Sequence, residues 1–158
     1  MNIMPATNLD ATDRKILRLL QMDGRLSNTD LAERVHLSPS ACLRRVRLLE
    51  EQGLISGYAM LLDPRRAGFG GNVFVHVTLD GQGRSALDAF ETAVVKVAEI
   101  LECWLLAGQA DYLLHVVYRD TDDLERIHSE VITQLPHVAR VQSTMTLRKV
   151  KRTAMLPI

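Results

Sequence analysis

SNTDLAERVHLSPSACLRRVRLLEEQG, residues 27–53, spells two short helices joined by a tight turn. Ser27 is placed to cap the first helix, and Asp30 three residues on favours its positive end. Ser38-Pro39 is a second start signal, a capping hydroxyl followed by the residue best tolerated in a first turn. Gly53 supplies a left-handed stop. At about 100° per residue, Cys42, Val46 and Leu49 form one apolar seam, while Ser40, Arg44 and Arg47 cluster on the opposite side. No acidic residue interrupts 39–49, so three arginines give that span a charge of +3. A helix anchored on its apolar side and presenting Arg and Ser outward is shaped to enter a DNA major groove.

A solvated surface helix also carries charge, but three features favour a helix-turn-helix: the capped helix before it, the short turn, and small Ala32 where two helices approach. Leu43 and Val46 sit one residue late relative to Ala32, and His36 stands where a turn glycine is usual. A turn one residue longer accommodates both, because His enters the left-handed region more readily than most non-glycine residues.

The 158 residues carry 47% apolar side chains, enough for a packed core of one domain or two small ones, and only 4% aromatics. Cys42 and Cys103 are far apart in sequence, with no CxxC pair and no Cys/His ligand spacing, so neither a disulfide nor a zinc site is expected. MNIMPATN has no basic start or apolar core of a signal peptide, and no run reaches membrane-spanning length. A cytoplasmic protein without metal or cofactor is the expectation. Formal net charge is zero, yet residues 1–66 carry ten Arg/Lys against eight Asp/Glu and residues 67–158 nine against eleven. The basic surplus lies with the candidate DNA reader. One copy would bind duplex weakly, since affinity grows with the number of phosphates neutralised, so an oligomer is expected.

Outward from the opening stretch, Asp10 caps a first helix with Ile16, Leu17 and Leu20 inward, ended by Asp23-Gly24-Arg25. Helices are expected over Asn28–Val35 and Pro39–Gln52, then a strand over Leu54–Leu62. Residues 8–63 thus form a winged helix-turn-helix domain, and 64–71, with three glycines, a linker. Beyond it Val73, Val75, Val77 and Leu79 alternate with Phe74, His76 and Thr78 in a strand. A helix over Ser85–Ala98, strands over Leu101–Ala107 and Tyr112–Tyr118, a helix over Thr121–Leu135 and a strand over Val138–Val150 follow. The fold class is α+β: the second domain, 72–158, is a ferredoxin-like βαββαβ unit with both helices on one face of the sheet. The other face needs a covering layer this chain lacks, which again predicts a partner subunit.

This order resembles the Lrp/AsnC ("feast/famine") family of transcription factors. The likeness rests on Leu9-Asp10, Asp13 and Ile16-Leu17; Asp23-Gly24-Arg25; Leu37-Ser38-Pro39; Arg45-Val46 with Leu49-Glu50; Gly53-Leu54-Ile55 with Gly57-Tyr58; and, further on, Gly108-x-x-Asp111-Tyr112 and Leu135-Pro136 with Val138. It implies double-stranded DNA as partner, self-association into dimers and octamers, and a small amino-acid effector held between dimers. It implies DNA contacts from Ser38, Ser40, Arg44, Arg45 and Arg47, with Arg44 central and Arg45 on the flank, facing phosphate or an internal carboxylate. It implies effector contacts from Gly108, Asp111 and Tyr112 and, by position, from Trp104, Ser143, Thr144 and Met145. There Asp111 suits an ammonium, and backbone N–H groups near Gly108 suit a carboxylate. Taken alone, Gly-Gln-Ala-Asp is equally a hairpin turn.

Three other functions compete. RNA-recognition modules share the βαββαβ frame but stack bases on exposed aromatics, and Phe74, Tyr112 and Tyr118 are too scattered for that. None of the five histidines has a Cys, Ser or carboxylate at motif spacing, so an enzyme is not expected. A DNA-binding architectural protein of the same fold, without an effector, is the remaining alternative.

Overall fold

Asp10 opens the first helix as the sequence predicts, its carboxylate accepting the Asp13 N–H at 2.7 Å. The structure is a computed structural model describing residues 9–158; MNIMPATN, and with it the expected domain start at residue 8, lies outside the described residues. Helices α1 (Ala11–Met22), α2 (Asn28–Val35) and α3 (Pro39–Glu51) follow one another. Ser27 Oγ accepts the Asp30 N–H at 3.1 Å and Ser38 Oγ accepts the Ala41 N–H at 3.3 Å, so both expected caps form. His36 ends α2 in the left-handed region at φ 57°, ψ 46°, and the Leu37 N–H reaches back to the Ala32 carbonyl at 2.9 Å. Gly53, at φ 71°, closes α3 the same way, a conformation a Cβ would strain. Ile16, Leu17, Leu31, Ala32, Val35, Cys42 and Leu49 form the core between the helices. Each fully buried Leu or Ile contributes about 1.5–3 kcal/mol.

The strand expected over Leu54–Leu62 is not made: among the described residues this stretch pairs with no other, and Tyr58, Met60, Leu61 and Leu62 are exposed. A β segment needs a ladder partner for its N–H and C=O groups, and none of the described residues offers one. Residues 151–158, placed with the second domain by sequence, belong to the first compact unit together with the described residues up to 61.

The second unit, 62–150, contains β1 (Gly71–Leu79), α4 (Arg84–Val94), β2 (Ile100–Leu105), β3 (Tyr112–Tyr118), α5 (Thr121–Arg126) and β4 (Val138–Met145). The strands pair antiparallel in the order β2-β3-β1-β4. Val73, Val75, Val77, Leu114 and Val116 meet Phe90, Val94, Ile127 and Ile132 of the helical layer. Four expected spans are shorter, β2 among them, which ends at Leu105 and not at Ala107. α4 stops at Val94, where the Lys96 and Val97 N–H groups turn to the Ala93 and Val94 carbonyls. β4 stops at Met145, opposite Val73, near the start of β1, its partner strand. The expected helix over Thr121–Leu135 leaves the α form after Arg126 for a π turn (Ile127–Val131) and a 3-10 turn (Ile132–Gln134). Ser129 Oγ donates to the Glu125 carbonyl at 2.8 Å and Thr133 Oγ1 to the Ser129 carbonyl at 2.6 Å. Hydroxyls that bond back in this way bend a helix, and the β-branched run around them adds crowding.

Candidate nucleic-acid interface and effector pocket

In the first unit, α3 buries Cys42 and Leu49 and leaves Ser40, Leu43, Arg44, Arg47, Leu48 and Glu51 around a shallow groove on its outer side. The groove brings Ser40, Arg44 and Arg47 together as expected, each exposed. Ser38 caps the helix, and its hydroxyl lies 3.2 Å from that of Ser40. Asn28 Nδ2 donates to the Pro39 carbonyl at 2.8 Å and ties the start of α2 to the start of α3. Arg45 is different. Its Nη1 donates to Asp10 Oδ2 and Asp13 Oδ1, each at 2.7 Å, so its charge is held by α1. The pair keeps the Asp10 carboxyl below its ordinary value, through the Asp13 N–H first and Arg45 second.

At the other end of α3, Tyr58 Oη donates to Glu50 Oε1 at 3.0 Å. Partial desolvation of the hydroxyl beside α3, then the neighbouring Glu50 carboxylate, raise the Tyr58 hydroxyl above its usual pKa although the ring is half exposed. Tyr58 thus fixes the chain leaving the reader. Sequence reasoning placed it in a strand and missed this contact.

In the second unit, the sheet face away from the helices carries a concavity of about 310 Å³. His76 and Thr78 of β1, Arg140, Gln142 and Thr144 of β4, and Gln109 and Ala110 of the turn after β2 line it. The lining is polar with one fixed cation, a setting for a small zwitterion or its carboxylate. Of the seven residues expected to meet an effector, only Thr144 lines this hollow; Gly108 stands beside it in the same turn as Gln109. Register explains the rest. Ser143 and Met145 pair with Val75 and Val73, whose side chains enter the core, so they occupy the opposite face from Thr144. Trp104 shares the open face but lies on β2, at the far edge of the sheet from β4.

Tyr112 and Asp111 are turned inward. The Tyr112 ring packs on Phe90, and its hydroxyl donates to Glu91 Oε1 at 2.8 Å; burial and Glu91 raise its pKa strongly. Asp111, buried, accepts the Leu79 N–H through Oδ2 at 2.8 Å and the Gln82 Nε2–H through Oδ1 at 2.7 Å. Its carboxylate pins the turn and does not point into the hollow, contrary to the expectation of an ammonium ligand. His76, Thr78, Arg140 and Gln142 were legible in principle. They are the alternate positions of two strands whose other positions read as core.

Residues 72–156 match the family model described as the Lrp/AsnC ligand binding domain, and residues 9–56 match a winged helix-turn-helix DNA-binding model. The chain belongs to the Lrp/AsnC family. It is 42% identical over 154 residues to the leucine-responsive regulatory protein of Escherichia coli K12, covering 98% of this chain and 94% of that one. Among solved structures, a transcriptional regulator of Neisseria meningitidis in complex with L-Met superimposes with a TM-score of 0.89 at 39% identity, over 94% of this chain and 96% of that one. An AsnC family regulator from Agrobacterium tumefaciens gives 0.88 at 34% identity, over 94% and 97%. The chain is therefore a DNA-binding transcriptional regulator with a ligand-binding domain, and not an enzyme. Among the described residues, no helix is long and apolar enough to cross a membrane, and no group of three or more His, Cys, Asp or Glu is placed to hold a metal.

Proposed function

We propose that this protein is a sequence-specific regulator of amino-acid metabolism genes whose grip on DNA responds to an amino acid. The carrying observation is the outer side of α3, where Ser40, Arg44 and Arg47 surround one groove while Cys42 and Leu49 hold the helix to its domain. Arg44 at the centre reads bases, Arg47 and Ser40 share base and phosphate contacts, and the Ser38 end of the helix approaches the backbone. Arg45 positions α3 from behind.

The effector occupies the hollow beside the Gly108–Ala110 turn, its carboxylate toward Arg140 and its side chain toward Leu106. The open sheet face bears Phe74, Leu113 and Trp104, apolar surface that favours a second copy as its cover. Dimers then combine into octamers, and the effector shifts contacts between dimers, altering how several readers engage spaced sites. DNA places the site of action in the cytoplasm.

Thermal-shift screening against the twenty amino acids, followed by sizing and operator binding with each hit, tests this reading. A ligand at 100 times its dissociation constant adds about 2.7 kcal/mol. A protein that binds operator but is stabilised by no amino acid would instead be an architectural member of the family. A protein that binds no duplex would overturn the reading altogether.

A further inference from the structure

Residues 148–152 read Arg-Lys-Val-Lys-Arg, four cations in five positions, and no acidic residue follows Glu130. All five are exposed. None of the four cations enters an ion pair among the described residues, and residues 1–8 contain no carboxylate side chain. Neighbouring like charges repel, and this run has no internal anion to offset them.

The segment that follows is fastened to the DNA-reading unit. The Leu156 N–H donates to Gln21 Oε1 at 2.5 Å, Gln21 Nε2 donates back to the Leu156 carbonyl at 3.2 Å, and Arg18 Nε donates to an Ile158 oxygen at 2.6 Å. The Ile158 side chain packs on the three-helix core. A chain extends at most about 3.3–3.6 Å per residue, so Arg152 stays within about 14 Å of Leu156 and Lys151 within about 18 Å. The anchor keeps both on the unit that carries α3.

That unit needs them. Residues 1–61 hold eight Arg/Lys against seven Asp/Glu, and Arg45 is engaged by Asp10 and Asp13. Its balance of +1 rises to +3 with Lys151 and Arg152. Affinity for duplex follows the number of phosphates neutralised, whatever the sequence. We propose that Lys151 and Arg152 form a basic arm, docked on the DNA-reading unit through residues 156–158, that contacts the phosphate backbone of the DNA engaged by α3. The arm rests on the reading of α3 as the DNA reader and adds a contact blind to base identity. Arginine and lysine side chains on an exposed segment outside any helix or strand suit that task, because phosphate contacts position a protein without specifying sequence.

The test uses the full chain, an operator selected by it from a randomised duplex pool, and a mixed-sequence duplex of equal length. Binding is measured between 50 and 200 mM salt for wild type, K151Q/R152Q, R148Q/K149Q/K151Q/R152Q, the charge-keeping K151R/R152K, and R44A/R47A. The arm predicts that each phosphate contact removed reduces the slope of log K against log salt by about 0.9, equally on both duplexes. K151R/R152K should keep the wild-type slope. The two-charge variant stands in if the four-charge variant precipitates. Glutamine variants with wild-type slope and affinity on both duplexes overturn the arm and leave the α3 reading intact. Glutamine variants that weaken operator binding alone overturn it too, since the contact would then be to bases. R44A/R47A that keeps full discrimination overturns the α3 reading, whatever the arm does.

Discussion

Arg45 of α3 and Asp13 of α1 meet through a single 2.7 Å hydrogen bond, and the same guanidinium nitrogen reaches Asp10 at the cap of α1. Arg45 is thereby a brace that sets the angle of the helix bearing Arg44 and Arg47. Replacing it by alanine removes two partly screened ion pairs, a combined loss of about 1 kcal/mol. Chemical denaturation of Arg45→Ala should show that loss, with relative affinities for operator variants unchanged. Altered base preference in a fully stable variant would transfer Arg45 to the reading surface.

Acid should weaken the fold through two carboxylates. Asp10 is lowered by the Asp13 N–H and Arg45, and Asp123 by the Arg119 N–H and Arg126. Both start from 3.8, so the folded chain takes up these protons less readily than the unfolded chain. Their contribution is complete above 3.8 and disappears as pH falls through the lower folded values. Denaturation midpoints should therefore decline as pH drops below about 4, and Arg45→Ala should flatten the decline. An equal decline with and without Arg45 would separate the brace from the acid response.

Arg44 carries the base-reading proposal. A bidentate arginine on guanine gives about 1–3 kcal/mol of discrimination. Arg44→Ala should compress the affinity range across single-base operator variants by that amount, measured by competition at fixed salt. Uniform weakening across all variants would assign Arg44 to phosphate instead.

The reader was legible because its signals are local. Ser27, Ser38, His36 and Gly53 each act within four residues, and each does what its side chain or backbone permits. The βαββαβ order was legible from period-two alternation in β1 and from the breaks at Gly81, Gly83 and Pro136. The effector residues were not. Whether Ser143 or Thr144 faces the hollow depends on the register of β4 against β1, and a shift of one residue exchanges the faces. The inward turn of Asp111 depends on Leu79 and Gln82, distant in sequence, and no local pattern announces them. The segment over 54–62 read as a strand because its composition is apolar, whereas strand formation depends on a ladder partner, which the described residues do not supply.

Asp111 should act on stability before it acts on ligand binding. Alanine there leaves the buried Leu79 N–H without an acceptor, a loss of about 1–3 kcal/mol. Asparagine retains one carbonyl oxygen and should cost less. Comparing Asp111→Ala with Asp111→Asn by thermal melting, and both with Arg140→Ala by effector titration, separates the pin from the ligand contact. Arg140→Ala should lower effector affinity at wild-type stability. Asp111→Asn that abolishes effector binding while melting like wild type would return Asp111 to the hollow.

Cys103 stands on the edge strand β2, exposed, yet its chemistry should be quiet. Desolvation of the sulfur first, and the charge of Glu91 second, push its thiol up to about 11. Only the thiolate is nucleophilic, so at pH 8 roughly one molecule in a thousand is reactive, against about a quarter for a free cysteine near pKa 8.5. Iodoacetamide labelling followed by mass spectrometry should be slow at pH 8 and accelerate as pH approaches 11. Glu91→Gln removes the nearby charge while its amide oxygen still accepts from Tyr112, so labelling should quicken without loss of the hydrogen bond at the core. Cys42, on the buried side of α3, should label only on unfolding and serves as the internal reference. Labelling of Cys103 at the rate of a free thiol, or indifference to Glu91→Gln, would mean that the sulfur stands clear of both influences.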